Sequence, residues 1–298
     1  MMELIEQVKV LYPDFGTTDI AKMLRVRQKT IKKIVDDNNF NLIKNRRINI
    51  DDFYNIQKKE ISYLLGLIWA DGHLSKRDNT LSIECISEDM ISFKENLDKV
   101  GRWSYHHRKR IDERTNTRPV TNAYICDSLL HEFLKENDYL EKSKKSPDKI
   151  TSKIPDKLLS YFLLGMIDGD GCFYYKENLA SQFVLAGTVN QNWSFFEKKF
   201  KELSTNYKIV ITNSSSVIRV TNKKDIKKIG NFVYSTIDDD NIGLRRKYEK
   251  YKQIVSSLIE NEKLVEYIKN NKDKKIKQLL IELNISRFRL NKLIKDNI

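Results

Sequence analysis

"YLLGLIWADGHL", residues 63–74, is an apolar run that ends in an aspartate and a glycine. Its spacing predicts a helix over residues 60–71 that is apolar around most of its circumference and therefore buried. Gly66 and Ala70 stand four apart and share one helical face. Glycine inside a helix costs up to ~1 kcal/mol, so it needs a compensating role. A face of small residues supplies one, because it lets a second helix backbone come close. Asp71 sits where the helix macrodipole is already negative, and Gly72 ends the helix.

A second stretch, "YFLLGMIDGDGCF" at 161–173, repeats the pattern, with Gly165 and Gly169 on one face and Asp170-Gly171 at the end. If the two helices pack side by side, Asp71 and Asp170 meet. Two neighbouring carboxylates repel one another and call for a cation. Oxygen donors favour Mg²⁺, with Mn²⁺ as a substitute. Carboxylates holding Mg²⁺ beside a basic surface point to phosphodiester hydrolysis by metal-activated water. Either stretch alone reads more simply as a core helix with a polar end and a glycine stop. Recurrence at matching positions favours the metal reading.

The surroundings repeat as well. After the first helix come strand-like segments "HLSK" and "TLSIECIS", a helix "EDMISFKENLDKVG", strands "WSYHHRKRI" and "VTNAYIC", and a helix "SLLHEFLKEN". After the second come "CFYYK", "SQFVLAGTV", a helix "WSFFEKKFKELS", strands "YKIVI" and "SVIRV", and a helix "KKDIKKIGNFVY". The fold class is thus α+β, a duplicated αββαββα unit, with halves at 58–150 and 151–258. A polar linker at about 41–58 precedes the first half, and the exposed, basic "EKSKKSPDKITSKIPDK" joins the two.

Small all-α units flank the duplication. Residues 1–45 read as a helix-turn-helix-like unit, with Ala21 and Ile31 ten apart and Arg25 where the turn commonly has glycine. Its second helix carries Lys29, Lys32 and Lys33, suited to a DNA groove. Residues 262–298 read as a second helical, helix-turn-helix-like unit around a turn at Asn284.

The chain has 298 residues, enough for two or three domains, and 40% hydrophobic residues for their cores. Its formal charge is +13, from 54 Lys and Arg against 41 Asp and Glu. That excess favours a polyanion, nucleic acid first and anionic membrane second. Cys85, Cys126 and Cys172 are scattered and form no CxxC pair, which excludes a disulfide framework and a cysteine zinc site. "MMELIEQVKV" lacks the basic start of a secretory signal, and no apolar run reaches the ~20 residues of a membrane span. The expectation is a soluble cytoplasmic protein with no membrane partner, an organelle or a phage-infected cell being compatible settings.

"LLGLIWADG" (64–72) and "LLGMIDGDG" (163–171) resemble the paired motif of the LAGLIDADG homing endonucleases in their single-chain, two-motif form. The resemblance covers roughly residues 58–258. It implies that the motif helices form the interface between pseudo-two-fold halves. It also implies a saddle of two four-stranded antiparallel sheets over the DNA major groove. The eighth motif residue is the metal-binding catalytic acid, here Asp71 and Asp170, and Ala70 and Gly169 join the metal set. The sixth is Trp69 and Asp168, a position where the family varies, so Asp168 is not counted as catalytic. A basic residue after the last helix of each half corresponds to Lys145 and Lys247, with Arg245 close to the latter. Such a cation would stabilise charge on the transferring phosphate.

For DNA contact, alternation puts Ser104, His106, Arg108 and Arg110 on one strand face. Lys76, Arg77, Gln182, Lys208, Arg219 and Arg245 are further candidates. Taken singly, each reads more simply as a solvated charge. The resulting expectation is a monomeric, site-specific, Mg²⁺-dependent double-strand DNA endonuclease. The alternatives are an intron maturase that binds RNA and a DNA-binding regulator that has lost catalysis on the same fold. The absence of splice-junction residues at Met1 and in "LIKDNI" sets an intein-borne form aside and suggests a free-standing protein.

Overall fold

A computed structural model describes residues 2–12, 17–38, 40, 47–109, 119–176, 181–235 and 242–297. At the N-terminus, α1 (Met2–Leu11), α2 (Thr17–Met23) and α3 (Gln28–Asp37) close around Val8, Ile20, Ile31 and Val35. Arg25, between α2 and α3, adopts φ 53°. The turn that commonly uses glycine therefore forms with arginine, at the steric cost of a left-handed backbone.

The stretch expected as a polar linker at 41–58 is a linker in composition only. Residues 41–46 lie outside the described residues. Beyond them Ile48, Ile50, Phe53 and Ile56 are all buried in the central core. The short α4 (Asp51–Tyr54) sets Phe53 edge-on to Phe133, with ring centroids 5.7 Å apart. Four spaced apolar anchors among polar residues carry no helical or strand period, so composition hid them.

The first half runs α5 (Lys59–Asp71), β1 (Gly72–Leu74), β2 (Thr80–Ile86), α6 (Ser87–Val100), β3 (Ser104–Lys109), β4 (Pro119–Cys126) and α7 (Ser128–Glu136). A 3₁₀ turn at Tyr139–Glu141 and α8 (Asp148–Thr151) lead on. The linker between the halves is not wholly exposed either, because Ile150 and Ile154 are buried. The second half runs α9 (Asp156–Asp170), β5 (Gly171–Tyr174), β6 (Gln182–Gly187), α10 (Ser194–Glu202), β7 (Lys208–Ile211), β8 (Ser216–Val220) and α11 (Lys223–Tyr234). The protein is therefore α+β, with two four-stranded antiparallel sheets, ordered β1-β2-β4-β3 and β5-β6-β8-β7.

Strand alternation gives each sheet a core face and an open face. Leu81, Ile83, Ala123 and Ile125 are buried on the first, and Phe183, Leu185, Ile218 and Val220 on the second. One continuous core joins both halves, and α5 and α9 run through its middle. Every residue from Ile61 to Trp69 and from Leu158 to Asp168 is buried, as helices apolar all round require.

A long helix, α12 (Arg245–Asn270), runs unbroken through 258–262, where the second half was expected to end. With α13 (Ile276–Leu283) and α14 (Arg287–Asn297) it closes a small separate core of Ile268, Leu279, Leu290 and Leu293. Asn284 makes the turn between α13 and α14 at φ 47°, a conformation asparagine tolerates. Among the described residues, no helix is long and apolar enough to cross a membrane.

Candidate functional site

The two central helices touch backbone to backbone. A Cβ on Gly66 would stand 1.9 Å from the Phe162 carbonyl oxygen, and one on Gly165 would stand 2.1 Å from that of Tyr63. Only glycine fits at either crossing point. Ser62 fastens the other end, its hydroxyl donating to Leu158 O at 2.7 Å. Further along, a Cβ on Gly169 would lie 2.4 Å from the Ala70 Cβ and 3.2 Å from the Asp71 carboxyl carbon. Interlocked small residues thus carry the acidic ends of α5 and α9 into one place.

Asp71 is half-buried there, and Asp170 as a residue is the more exposed of the two, although its carboxyl is still desolvated by its neighbours. Desolvation raises the Asp71 carboxyl above its ordinary value, against the pull of Lys142 and Lys247. Desolvation, then the charge of Asp71, pushes Asp170 up to about 6. Gly169, the neighbour of Asp170 in the chain, lies against the Asp71 carboxylate, so the two acids are neighbours and the charge of Asp71 acts on Asp170.

A lysine braces each acidic end, Lys247 buried and Lys142 half-buried. Lys247 Nζ donates to Ile167 O at 2.7 Å, Asp168 O at 2.6 Å and Gly171 O at 2.6 Å. Lys142 Nζ donates to Ile68 O at 3.0 Å, Ala70 O at 2.6 Å and Gly72 O at 2.6 Å. Each ammonium spends its three protons on carbonyls at a helix C-terminus, where a cation also meets the negative end of the macrodipole. Burial lowers both lysines, Lys142 to about 8. Lys145, the residue expected at this place, is exposed on the following turn, and Lys142 stands there instead. The 3₁₀ turn at Tyr139–Glu141 decides which lysine points inward, and nothing local in the lysine-rich sequence distinguishes them.

Two further contacts escaped sequence reasoning, and in each the opposite half holds the lysine segment. Arg246, beside Lys247, grips Asp89 of α6 with two donors, Nε to Oδ1 at 2.8 Å and Nη2 to Oδ2 at 2.5 Å. Gln191 donates to Lys142 O at 3.3 Å, and Asn192 N–H to Ser143 O at 3.2 Å. Partners so distant in sequence leave no local signal. Asp168 is buried and structural: Tyr63 O–H donates to its Oδ2 at 3.0 Å and the Leu244 N–H at 2.9 Å. At the equivalent place in α5, Trp69 packs edge-on against Tyr139, centroids 4.9 Å apart.

The strand candidates share the open faces. Register sets Ser104 opposite Tyr124, His106 opposite Asn122 and Arg108 opposite Val120, all turned away from the core residues Ala123 and Ile125. Arg108 is ion-paired with Glu84 on that face, and Arg47 donates to Ser104 Oγ at 3.2 Å. In the second sheet Lys208 and Arg219 pair in one row, with Gln182 on the same face. Lys76 and Arg77 are exposed on the β1–β2 turn. Arg245 is exposed at the start of α12, 3.7 Å from Glu249. Lys29, Lys32 and Lys33 are exposed on α3, in the separate N-terminal unit. Arg110 lies outside the described residues.

Among the described residues there is no group of three or more His, Cys, Asp or Glu that could hold a metal. The acidic site therefore offers two carboxylates and main-chain oxygens. The Ala70 carbonyl also accepts from Lys142, whereas Gly169 lies against Asp71. Hard oxygen donors in this number fit a cation that completes its shell with water and phosphate, as Mg²⁺ does.

Solved structures with a similar fold are LAGLIDADG proteins. The homing endonuclease I-WcaI, bound to its DNA recognition sequence, matches 68% of this chain over 91% of its own, at 18% identity and a TM-score of 0.46. I-SmaMI, bound to an uncleaved DNA target in the presence of calcium ions, matches 78% over 96% of its own, at 14% identity and a TM-score of 0.41. Full-length DUF199/WhiA from Thermatoga maritima matches 82% over 94% of its own, at 15% identity and a TM-score of 0.41. The chain matches no protein-family model and no curated protein sequence.

Proposed function

We propose that this protein is a site-specific double-strand DNA endonuclease that works as a monomer. The observation that carries the proposal is the meeting of Asp71 and Asp170, one from each half of a chain that forms two four-stranded sheets. Divalent metal, Mg²⁺ or Mn²⁺, would be held by these carboxylates with main-chain oxygen at Ala70 and Gly169. When bound, it would neutralise charge on the scissile phosphate and make water a nucleophile at neutral pH.

The chain's own residues supply the rest. Asp71 and Asp170 each serve one strand, and their separation is set by the glycine crossing rather than by flexible loops. Lys142 and Lys247 are positioning residues. Their protons are committed to carbonyls, so they act on the phosphate through their charge and through the acids they hold in place. Ser104, His106, Arg108, Gln182, Lys208 and Arg219 would face the major groove, and Lys76 and Arg77 the flanking backbone. The N-terminal unit, through Lys29, Lys32 and Lys33, would lengthen the footprint.

The test offers the protein its candidate insertion locus without the insert, together with a randomised duplex pool, in Mg²⁺ and in Ca²⁺. The expected result is double-strand cutting at one sequence in Mg²⁺ and binding without cutting in Ca²⁺. Binding with no cut in Mg²⁺ or Mn²⁺ would reassign the protein as a DNA-binding regulator.

A further inference from the structure

The registers of the two sheets superimpose position by position. Gly72 pairs with Ile83, which pairs with Ala123, which pairs with Tyr105. Gly171 pairs with Leu185, which pairs with Ile218, which pairs with Ile209. One step further along the strands, toward the acids, lies the open-face row nearest each aspartate. In the first sheet that row is Glu84, Asn122 and His106. In the second it is Ala186, Val217 and Val210.

The two rows occupy the same place and have opposite chemistry. The first is made wholly of hydrogen-bonding groups. The second has no side-chain donor or acceptor, yet Ala186 and Val210 are exposed and Val217 is half-buried. Val210 keeps 37% of its surface open. Beside this row, Lys208 and Arg219 stand in the next one. An apolar row bordered by paired cations does not suit a second copy of this basic chain. It suits a polyanion that carries methyl groups. In the major groove the only apolar mark on a base edge is the thymine C5-methyl.

We infer that the second sheet reads thymine methyls at the base pairs next to the cut, through Ala186, Val217 and Val210. The first sheet reads hydrogen-bonding edges at the equivalent pairs through Asn122 and His106, with Glu84 tied to Arg108. The target is then asymmetric at its centre in a defined sense: the half under the second sheet carries T where the half under the first need not. This inference rests on the endonuclease reading and adds the chemical identity of the bases.

The test begins with a duplex selected from the randomised pool in Ca²⁺. An Arg219→Ala variant, which alters selection only under the second sheet, assigns the two halves. Each central dT is then replaced by dU, which removes the methyl and nothing else. In the half under the second sheet, each replacement weakens binding about fourfold, the worth of burying one methyl group. In the other half it has no effect. Val217→Ser, and Ala186→Ser as a gentler change on an exposed position, bind the dT and dU duplexes alike, with thermal melting to confirm folding. A selected duplex that tolerates dU everywhere overturns the inference and leaves the endonuclease reading standing. Failure to select any sequence overturns both. Concentration-dependent dimerisation lost in Val217→Ser assigns the row to a second copy and overturns the inference.

Discussion

The end of α5 and the end of α9 hold the same three things in different settings. Each has an aspartate, a glycine at the helix crossing, and a lysine that ties off three carbonyls. Around them the halves diverge. At the position two before the aspartate, α5 carries Trp69 packed on Tyr139, and α9 carries Asp168 bonded to Tyr63 and Leu244. The turn bearing Lys142 is held by neutral amides of Gln191 and Asn192, and Lys247 by the ion pair of Arg246 with Asp89. Two different packings deliver one arrangement of charge. The shared groups are those the proposed chemistry would use, and the differing ones hold them in place.

The largest effect should come from breaking the shared part. Asp71→Asn or Asp170→Asn is expected to lower double-strand cleavage by about a thousandfold or more, as loss of several kcal/mol of metal-borne stabilisation implies. Binding in Ca²⁺ conditions should persist, and cleavage kinetics of each variant check it. If either acid proves dispensable, the two ends are not equivalent. Lys142→Met and Lys247→Met should each cost about a hundredfold, in the range for removing one preorganised electrostatic partner. Lys145→Met should cut as wild type does. A large effect at Lys145 would reverse the assignment made from the hydrogen bonds.

The crossing itself can be tested by bulk. Gly66→Val and Gly165→Val both push side chain into backbone, and each should lower stability by about 3 kcal/mol, the upper part of the overpacking range. Thermal melting should show matching losses, since the two contacts are equivalent in the duplicated halves.

The differing position gives a pH signature. Burial raises the Asp168 carboxyl from 3.8 to about 6 in the folded protein. The folded state holds that proton more tightly than the unfolded chain, so its contribution is full below about pH 4 and is lost as pH rises through about 6. In metal-free protein, Asp168→Asn should flatten the fall in stability between pH 4 and 7 by about 1–3 kcal/mol. Trp69 has no charge to titrate, so Trp69→Phe should leave the slope unchanged. Smallest of all, Asp89→Asn should cost about 1–2 kcal/mol, since Arg246 remains largely solvated, and Gln191→Ala about 0.5–1 kcal/mol. A double-mutant cycle between Asp89 and Arg246 separates the pair from its neighbours.

Much of this site is local, and the chain alone determined it. Helical period and paired small residues placed Gly66, Gly165, Asp71 and Asp170. Strand period placed Ser104, His106 and Arg108 on one face, because successive side chains alternate whatever the partner strand. Tertiary structure decided the rest. It chose Lys142 over Lys145, drew Ile48, Ile50, Phe53 and Ile56 into the core, and joined Arg246 to Asp89 across the halves. It also aligned Ala186, Val217 and Val210 from three separate strands into one row. The physical reason is the same each time. A period of 2 or 3.6 residues is written along the chain, whereas a partner fixed by a turn or by strand register exists only once the chain has folded.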